Sequence, residues 1–197
     1  MAHPSVSAER QLKHRRRIDV QIYARADGLW EVEAHLEDVK PHDVTLAHGV
    51  QPGGRPVHDM GLRIVVDTRC TILEASARTD AMPYPGDCNA YGDAYRRLVG
   101  LNLLDGFRSA VKARLGGVLG CTHLTELTWV LPTAVVQAFA GEGVFFDRFD
   151  AAGAALPPFQ IDRCHALRAD APAVRTHYPR WYRAPSPSAT PRTSETP

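Results

Sequence analysis

Apolar and polar residues alternate with period two through Ile18-Asp19-Val20-Gln21-Ile22-Tyr23 and again through Leu29-Trp30-Glu31-Val32-Glu33-Ala34-His35-Leu36. That is the pattern of strands with one buried face. Asp27-Gly28 lies between the two runs and has turn chemistry, so they read as a hairpin. Val50-Gln51-Pro52-Gly53-Gly54-Arg55-Pro56 is a loop by composition, and Leu62–Asp67 with Thr71–Ala77 reads as a second hairpin across a short polar link. The period then changes. Tyr91 to Val99 reads as a helix closed by Gly100, and Asp105 is placed to cap a second, with Phe107, Val111 and Leu115 on one face and Gly116-Gly117 as its stop. A third stripe starts near Cys121 and runs through Leu124, Leu127, Leu131 and Val135, with Pro132 expected to kink or end it. Strands first and helices afterwards predict an α+β fold. The expected architecture is an N-terminal antiparallel β-meander of about four strands over 18–77, then helices across 90–140 packed on one face.

Length refines this picture. A chain of 197 residues suffices for one well-buried core. The expectation is a single α+β domain over 15–182, between a flexible tail at 1–14 and a disordered Pro/Ser/Thr-rich tail at 183–197. A formal charge of +1 gives no general pull toward nucleic acid or an anionic membrane, and the short basic run Lys13-His14-Arg15-Arg16-Arg17 reads as a solvated tail. Aromatic residues make up 8% and are not interleaved with Lys or Arg, which disfavours single-stranded nucleic-acid readers. No stretch reaches the ~20 apolar residues of a membrane span. The N-terminal residues lack the apolar core of a signal peptide, so a cytoplasmic location is expected by default. In that compartment Cys70, Cys88, Cys121 and Cys164 stay reduced, as thiols or metal ligands. They form no CxxC pattern, and GxGxxG, GxxxxGK[ST], HExxH and GxSxG are all absent from the chain.

The candidate chemistry gathers in four places. Gly120-Cys121-Thr122-His123-Leu124-Thr125-Glu126-Leu127 sets a thiol at a helix start, where the positive end of the dipole favours thiolate. His123 and Glu126 follow three apart and share one side of that helix. The bland alternative is a buried Cys acting as a small hydrophobe beside a surface His. Pro56-Val57-His58-Asp59-Met60 puts His and Asp side by side at a strand start, where they point in opposite directions and at most one faces a given site. Thr79 to Cys88 is stiffened by Pro83 and Pro85 and ends in a thiol, and Cys164-His165 is a fourth pair. Cys70, between the strands of the second hairpin, reads as incidental.

Several blocks together resemble a bacterial domain family of unknown function, DUF2889. They are Asp27–Leu36, His58-Asp59-Met60, Thr79-Asp80 through Pro85-Gly86, Tyr95–Gly100, Gly116-Gly117 and Gly120–Leu127, joined by Cys164–Leu167 and His177–Tyr182. The likeness spans about residues 15–182, and its Gly120–Leu127 block is specific. It carries no activity with it, and implies only a setting in bacterial aromatic-acid or acyl-CoA catabolism. A fainter likeness is to the U-type iron–sulfur scaffold proteins, in which His58-Asp59 would stand at a Cys-Gly-Asp turn, Cys88 at the second ligand and Cys121 at the third.

These readings give a leading expectation and two rivals. The first is a metal-binding enzyme or accessory protein holding zinc or iron through Asp59, Cys88, Cys121 and either His58 or His123. The second is a metal-free thiol enzyme with Cys121 as nucleophile, a nearby His such as His123 as base, and Glu126 alongside. The third is a non-catalytic binding or accessory protein. The partner in each case is an unspecified small molecule or protein, with no nucleic acid and no membrane.

Overall fold

The computed structural model describes residues 8–46, 49–142, 144 and 155–185. The outer parts of both expected tails, 1–7 and 186–197, lie outside the described residues. Among the described residues, six strands form: β1 (Arg15–Ala24), β2 (Trp30–Val39), β3 (Val44–Leu46), β4 (Gly49–Gln51), β5 (Pro56–Val66) and β6 (Ile72–Ala81). Four of them make one antiparallel sheet in the order β1-β2-β5-β6, and β3-β4 is a small separate hairpin inserted between β2 and β5. The expected α+β fold, an N-terminal antiparallel sheet followed by helices, is the observed one.

Period-two alternation decides which face is covered. Even-numbered Trp30, Val32, Ala34 and Leu36 of β2 and Met60, Leu62 and Ile64 of β5 are buried, whereas odd-numbered Glu31, Glu33, His35 and Glu37 stand on the other face. The segment Val50–Pro56, read as a loop, contributes β4 at its start, because Gly53-Gly54 turn the chain only after Gln51.

Helices then follow: α1 (Phe107–Leu115), α2 (Thr122–Thr128), α3 (Leu131–Gly141) and α4 (Pro172–His177). The stretch expected as a helix over Tyr91 to Val99 is a 3₁₀ helix over Cys88–Leu98. Its buried residues, Tyr95 and Leu98, are three apart, the spacing that eclipses side chains at three residues per turn. Gly92 there lies so close to the Ala77 carbonyl that a Cβ would come within 3.0 Å of it. Asp105 does not cap α1. The N-cap is Gly106 at φ 56°, a left-handed conformation that Gly adopts freely, so the chain enters the helix one residue later. Phe107, Val111 and Leu115 are all buried, as are Leu124, Leu127, Leu131 and Val135. The single stripe breaks at the turn 129–130, just ahead of Pro132, into α2 and α3, and Pro132 itself sits in the first turn of α3, where its missing N–H leaves no bond unmade.

The chain divides into two compact units, Met1–Ala138 and Phe139–Pro197. The first holds the sheet, α1 and α2, with α2 set against β2 and β5. In the second, α4 contacts the 3₁₀ turns His165–Leu167 and Pro179–Trp181. Asp162, at φ 61°, accepts the Ala169 N–H through Oδ1 at 2.7 Å. Among the described residues, no helix is long and apolar enough to cross a membrane.

Candidate metal centre

Strand register builds the floor of the site. Arg16 lies directly across from Asp38, and Asp38 directly across from His58, so one row crosses β1, β2 and β5 on the covered face of the sheet. Asp38 continues the even-numbered set of β2 and is almost wholly buried, at 2% exposure. An unpaired carboxylate there would cost several kcal/mol. It is not unpaired. Arg16 forks onto it, Nε donating to Oδ1 at 2.8 Å and Nη2 to Oδ2 at 2.7 Å. His14 Nε2 is 3.1 Å from Oδ1, and His58 Nδ1 is 3.0 Å from Oδ2.

Helix α2 supplies the roof. His123 Nε2 stands 3.7 Å from Asp38 Oδ2, and its ring stacks on that of His58 with centroids 3.8 Å apart and a 31° tilt. One turn on, Glu126 accepts a hydrogen bond from Arg16 Nη1. Asp38, His58 and His123 each present one ligand atom, all within 4.8 Å of one another. Cys121 is the N-cap of α2, with Sγ 3.9 Å from His123 Nδ1 and 3.9 Å from Met60 Sδ. Its backbone is clamped by buried Tyr95, whose hydroxyl accepts the Cys121 N–H at 3.1 Å and donates to the Cys121 carbonyl at 2.7 Å.

Charge follows from this packing. Burial alone would raise the Asp38 carboxyl, but the Arg16 fork and the His58 bond outweigh it and hold it below its ordinary value. Burial lowers His58 against the pull of Asp38, and burial with the neighbouring His58 and Arg16 lowers His123. Both imidazoles are therefore neutral near pH 7, each with a lone pair free on one nitrogen. Two carboxylates, Asp38 and Glu126, face the single guanidinium of Arg16, a grouping that suits a cation.

The fold brings some of the expected residues together and parts others. His58 and His123 meet, and Cys121 lies beside His123. Asp59 projects from the opposite face of β5, where its Oδ1 is 2.6 Å from His35 Nε2; the carboxylate at the centre is Asp38 instead. The physical reason is the strand period, which sends neighbours His58 and Asp59 to opposite faces. Cys88 opens the 3₁₀ segment and is not among the grouped ligand atoms. Glu126 faces Arg16 rather than the thiol. The basic run expected as a solvated tail is also corrected, because Arg15 to Arg17 open β1 and Arg16 holds the buried carboxylate. Sequence reading missed Asp38, Arg16, His14 and Met60. Carrying the alternation of β2 one step beyond Leu36 would have put Asp38 on the covered face.

A family profile described as a protein of unknown function, DUF2889, matches residues 14–137, well over half of the chain. The chain belongs to this family. The matched DUF2889 segment opens on His14 and contains every residue of the centre. No curated protein and no solved structure matches.

Proposed function

We propose that this protein binds a divalent metal, zinc or ferrous iron, through Asp38, His58 and His123, and works as a small metal enzyme or metal-binding accessory protein. The observation that carries the reading is the convergence of one carboxylate oxygen and two imidazole nitrogens within 4.8 Å. Ligand atoms about 2.0–2.1 Å from one ion at tetrahedral angles stand about 3.3 Å apart. The distances of 3.0 and 3.7 Å from Asp38 Oδ2 to the two rings bracket that value. Two histidines and one carboxylate are a set used by both zinc and non-haem iron, and three protein ligands leave positions open for water or a small-molecule substrate. An ion held there would supply an activated water for hydrolysis or lyase chemistry. Arg16, at the far side of Asp38, keeps the carboxylate ionised and oriented, as outer partners of metal ligands do.

Elemental analysis of the purified full chain tests this directly. About one zinc or iron per chain is expected, falling below a tenth of that in His58→Asn and His123→Asn proteins that remain folded by circular dichroism. A metal-free wild type whose melting temperature does not move with added Zn²⁺ or Fe²⁺ would overturn it.

A second reading rests on a different contact. Cys121, His123 and Asp38 stand in the order nucleophile, base and orienting carboxylate, at 3.9 and 3.7 Å. In that case metal-free protein alkylates at Cys121 with a pH profile that His123→Gln alters. An unchanged profile removes the reading.

A further inference from the structure

Met60 lies on the covered face of β5, two residues beyond His58, and is 1% exposed. Its thioether points at the Cys121 thiol, sulfur to sulfur, at 3.9 Å. The same thiol is 3.9 Å from His123 Nδ1. The Cys121 sulfur thus contacts a thioether and an imidazole nitrogen, the latter being the ring nitrogen of His123 other than the one that approaches Asp38.

From this geometry we infer that Cys121, Met60 and His123 Nδ1 form a soft-metal site that takes cuprous copper. Thiolate and thioether ligands select Cu(I), whereas zinc and ferrous iron are held by nitrogen, oxygen and thiolate and have little use for a thioether. The spacing fits. Two sulfurs each about 2.3 Å from an ion stand about 3.8–4.0 Å apart at tetrahedral to trigonal angles, and the observed separation is 3.9 Å. The tautomer fits too. His123 Nε2 faces Asp38 Oδ2 at 3.7 Å, so a proton on Nε2 directed at the carboxylate leaves the Nδ1 lone pair turned toward Cys121. Asp38 then acts as the outer carboxylate of a carboxylate–histidine–metal relay instead of a ligand. Tyr95 fixes the backbone of Cys121 on both its N–H and its carbonyl, which sets where the sulfur can lie. Binding releases the thiol proton to solvent and changes no oxidation state.

This site does not depend on the divalent reading above. The two use opposite nitrogens of His123, so they are alternative occupancies that different variants separate. The test uses the full chain carrying Cys88→Ser and Cys164→Ser, which removes two thiols outside the cluster. Cu(I) is titrated anaerobically in ascorbate against bicinchoninate, and Zn²⁺ binding is measured on the same proteins. One Cu(I) per chain is expected. Met60→Leu, a volume-conserving change, should weaken Cu(I) at least tenfold and leave Zn²⁺ affinity unchanged. His58→Asn should do the reverse, and Cys121→Ser should abolish Cu(I) binding. X-ray absorption of the selenomethionine-labelled Cu(I) form should show selenium bonded to copper, which checks the thioether without any substitution at Met60. Absence of copper–selenium scattering, or a Met60→Leu protein that binds Cu(I) as tightly as its parent, would overturn the site while leaving the divalent reading standing. Loss of Zn²⁺ binding alone would do the opposite.

Discussion

Asp38 carries more interactions than its size suggests: two bonds from Arg16, one from His58, a contact with His14 and the approach of His123. Removing one partner of a buried charge pair costs about 3–5 kcal/mol, because the other charge is left without compensation. Arg16 retains some access to water and keeps Glu126, so the cost here is discounted. Asp38→Asn should destabilise the protein by about 2–3 kcal/mol, read as a lower urea midpoint. Asp59→Asn offers the contrast. Its side chain sits on the open face of the sheet with half-exposed His35, and its loss should stay within about 0.5 kcal/mol. Equal effects of the two substitutions would mean that the centre does not depend on the Arg16–Asp38–His58 row. The two aspartates differ only in strand parity, a distinction present in the sequence but decided by where β2 ends. With the alternation stopped at Leu36, Asp38 falls outside the strand and its burial cannot be seen.

At the scale of elements, the site depends on how α2 begins. Gly120 is extended, and a Cβ there would come within 2.6 Å of the Leu115 carbonyl and 3.2 Å of the Tyr95 hydroxyl. Backbone cannot yield as a side chain can, so Gly120→Ala should cost about 1–3 kcal/mol and displace Cys121 with the helix start. Tyr95→Phe keeps the ring but removes the hydroxyl that serves the Cys121 N–H, the Cys121 carbonyl and Thr125 Oγ1. Buried polar groups left without partners should make this change cost about 1–3 kcal/mol in chemical denaturation. A Tyr95→Phe protein as stable as the wild type would show that water takes over the clamp. The α2 start was legible because Gly-Cys-Thr precedes an apolar stripe, and Leu124 and Leu127 obey it. Tyr95 was legible only as a helical residue. Its clamp reaches 26 residues along the chain, and no local pattern encodes such a contact.

Across the whole molecule, the order of elements was readable because alternation and helical stripes are local, whereas the centre was not. Its row joins residues 22 and 20 positions apart through strand register, and α2 returns to it much later in the chain. Register follows from pairing and turn geometry, which a single strand's pattern does not contain. Because the centre unites groups from four elements, its titration should register in global stability. Burial lowers both His58 and His123 from 6.5, so between that value and their folded values the unfolded chain binds protons that the folded chain refuses. Stability therefore falls as pH drops below about 6.5. Asp38 is lowered from 3.8, so a second loss begins as pH falls below that value, where unfolded carboxyls protonate first. His14, Arg16 and Glu126 face the same carboxylate or its guanidinium partner. For metal-free protein, the urea midpoint should be level above pH 7 and decline between pH 6.5 and 5. In the His58→Asn, His123→Asn double variant that decline should flatten, with the acid limb below pH 4 retained. Added Zn²⁺ should steepen the wild-type decline, since protons and the ion compete for the same imidazole lone pairs. A midpoint that stays level from pH 7 to 5 in the wild type would mean that these histidines take up protons as readily in the folded chain as in the unfolded one.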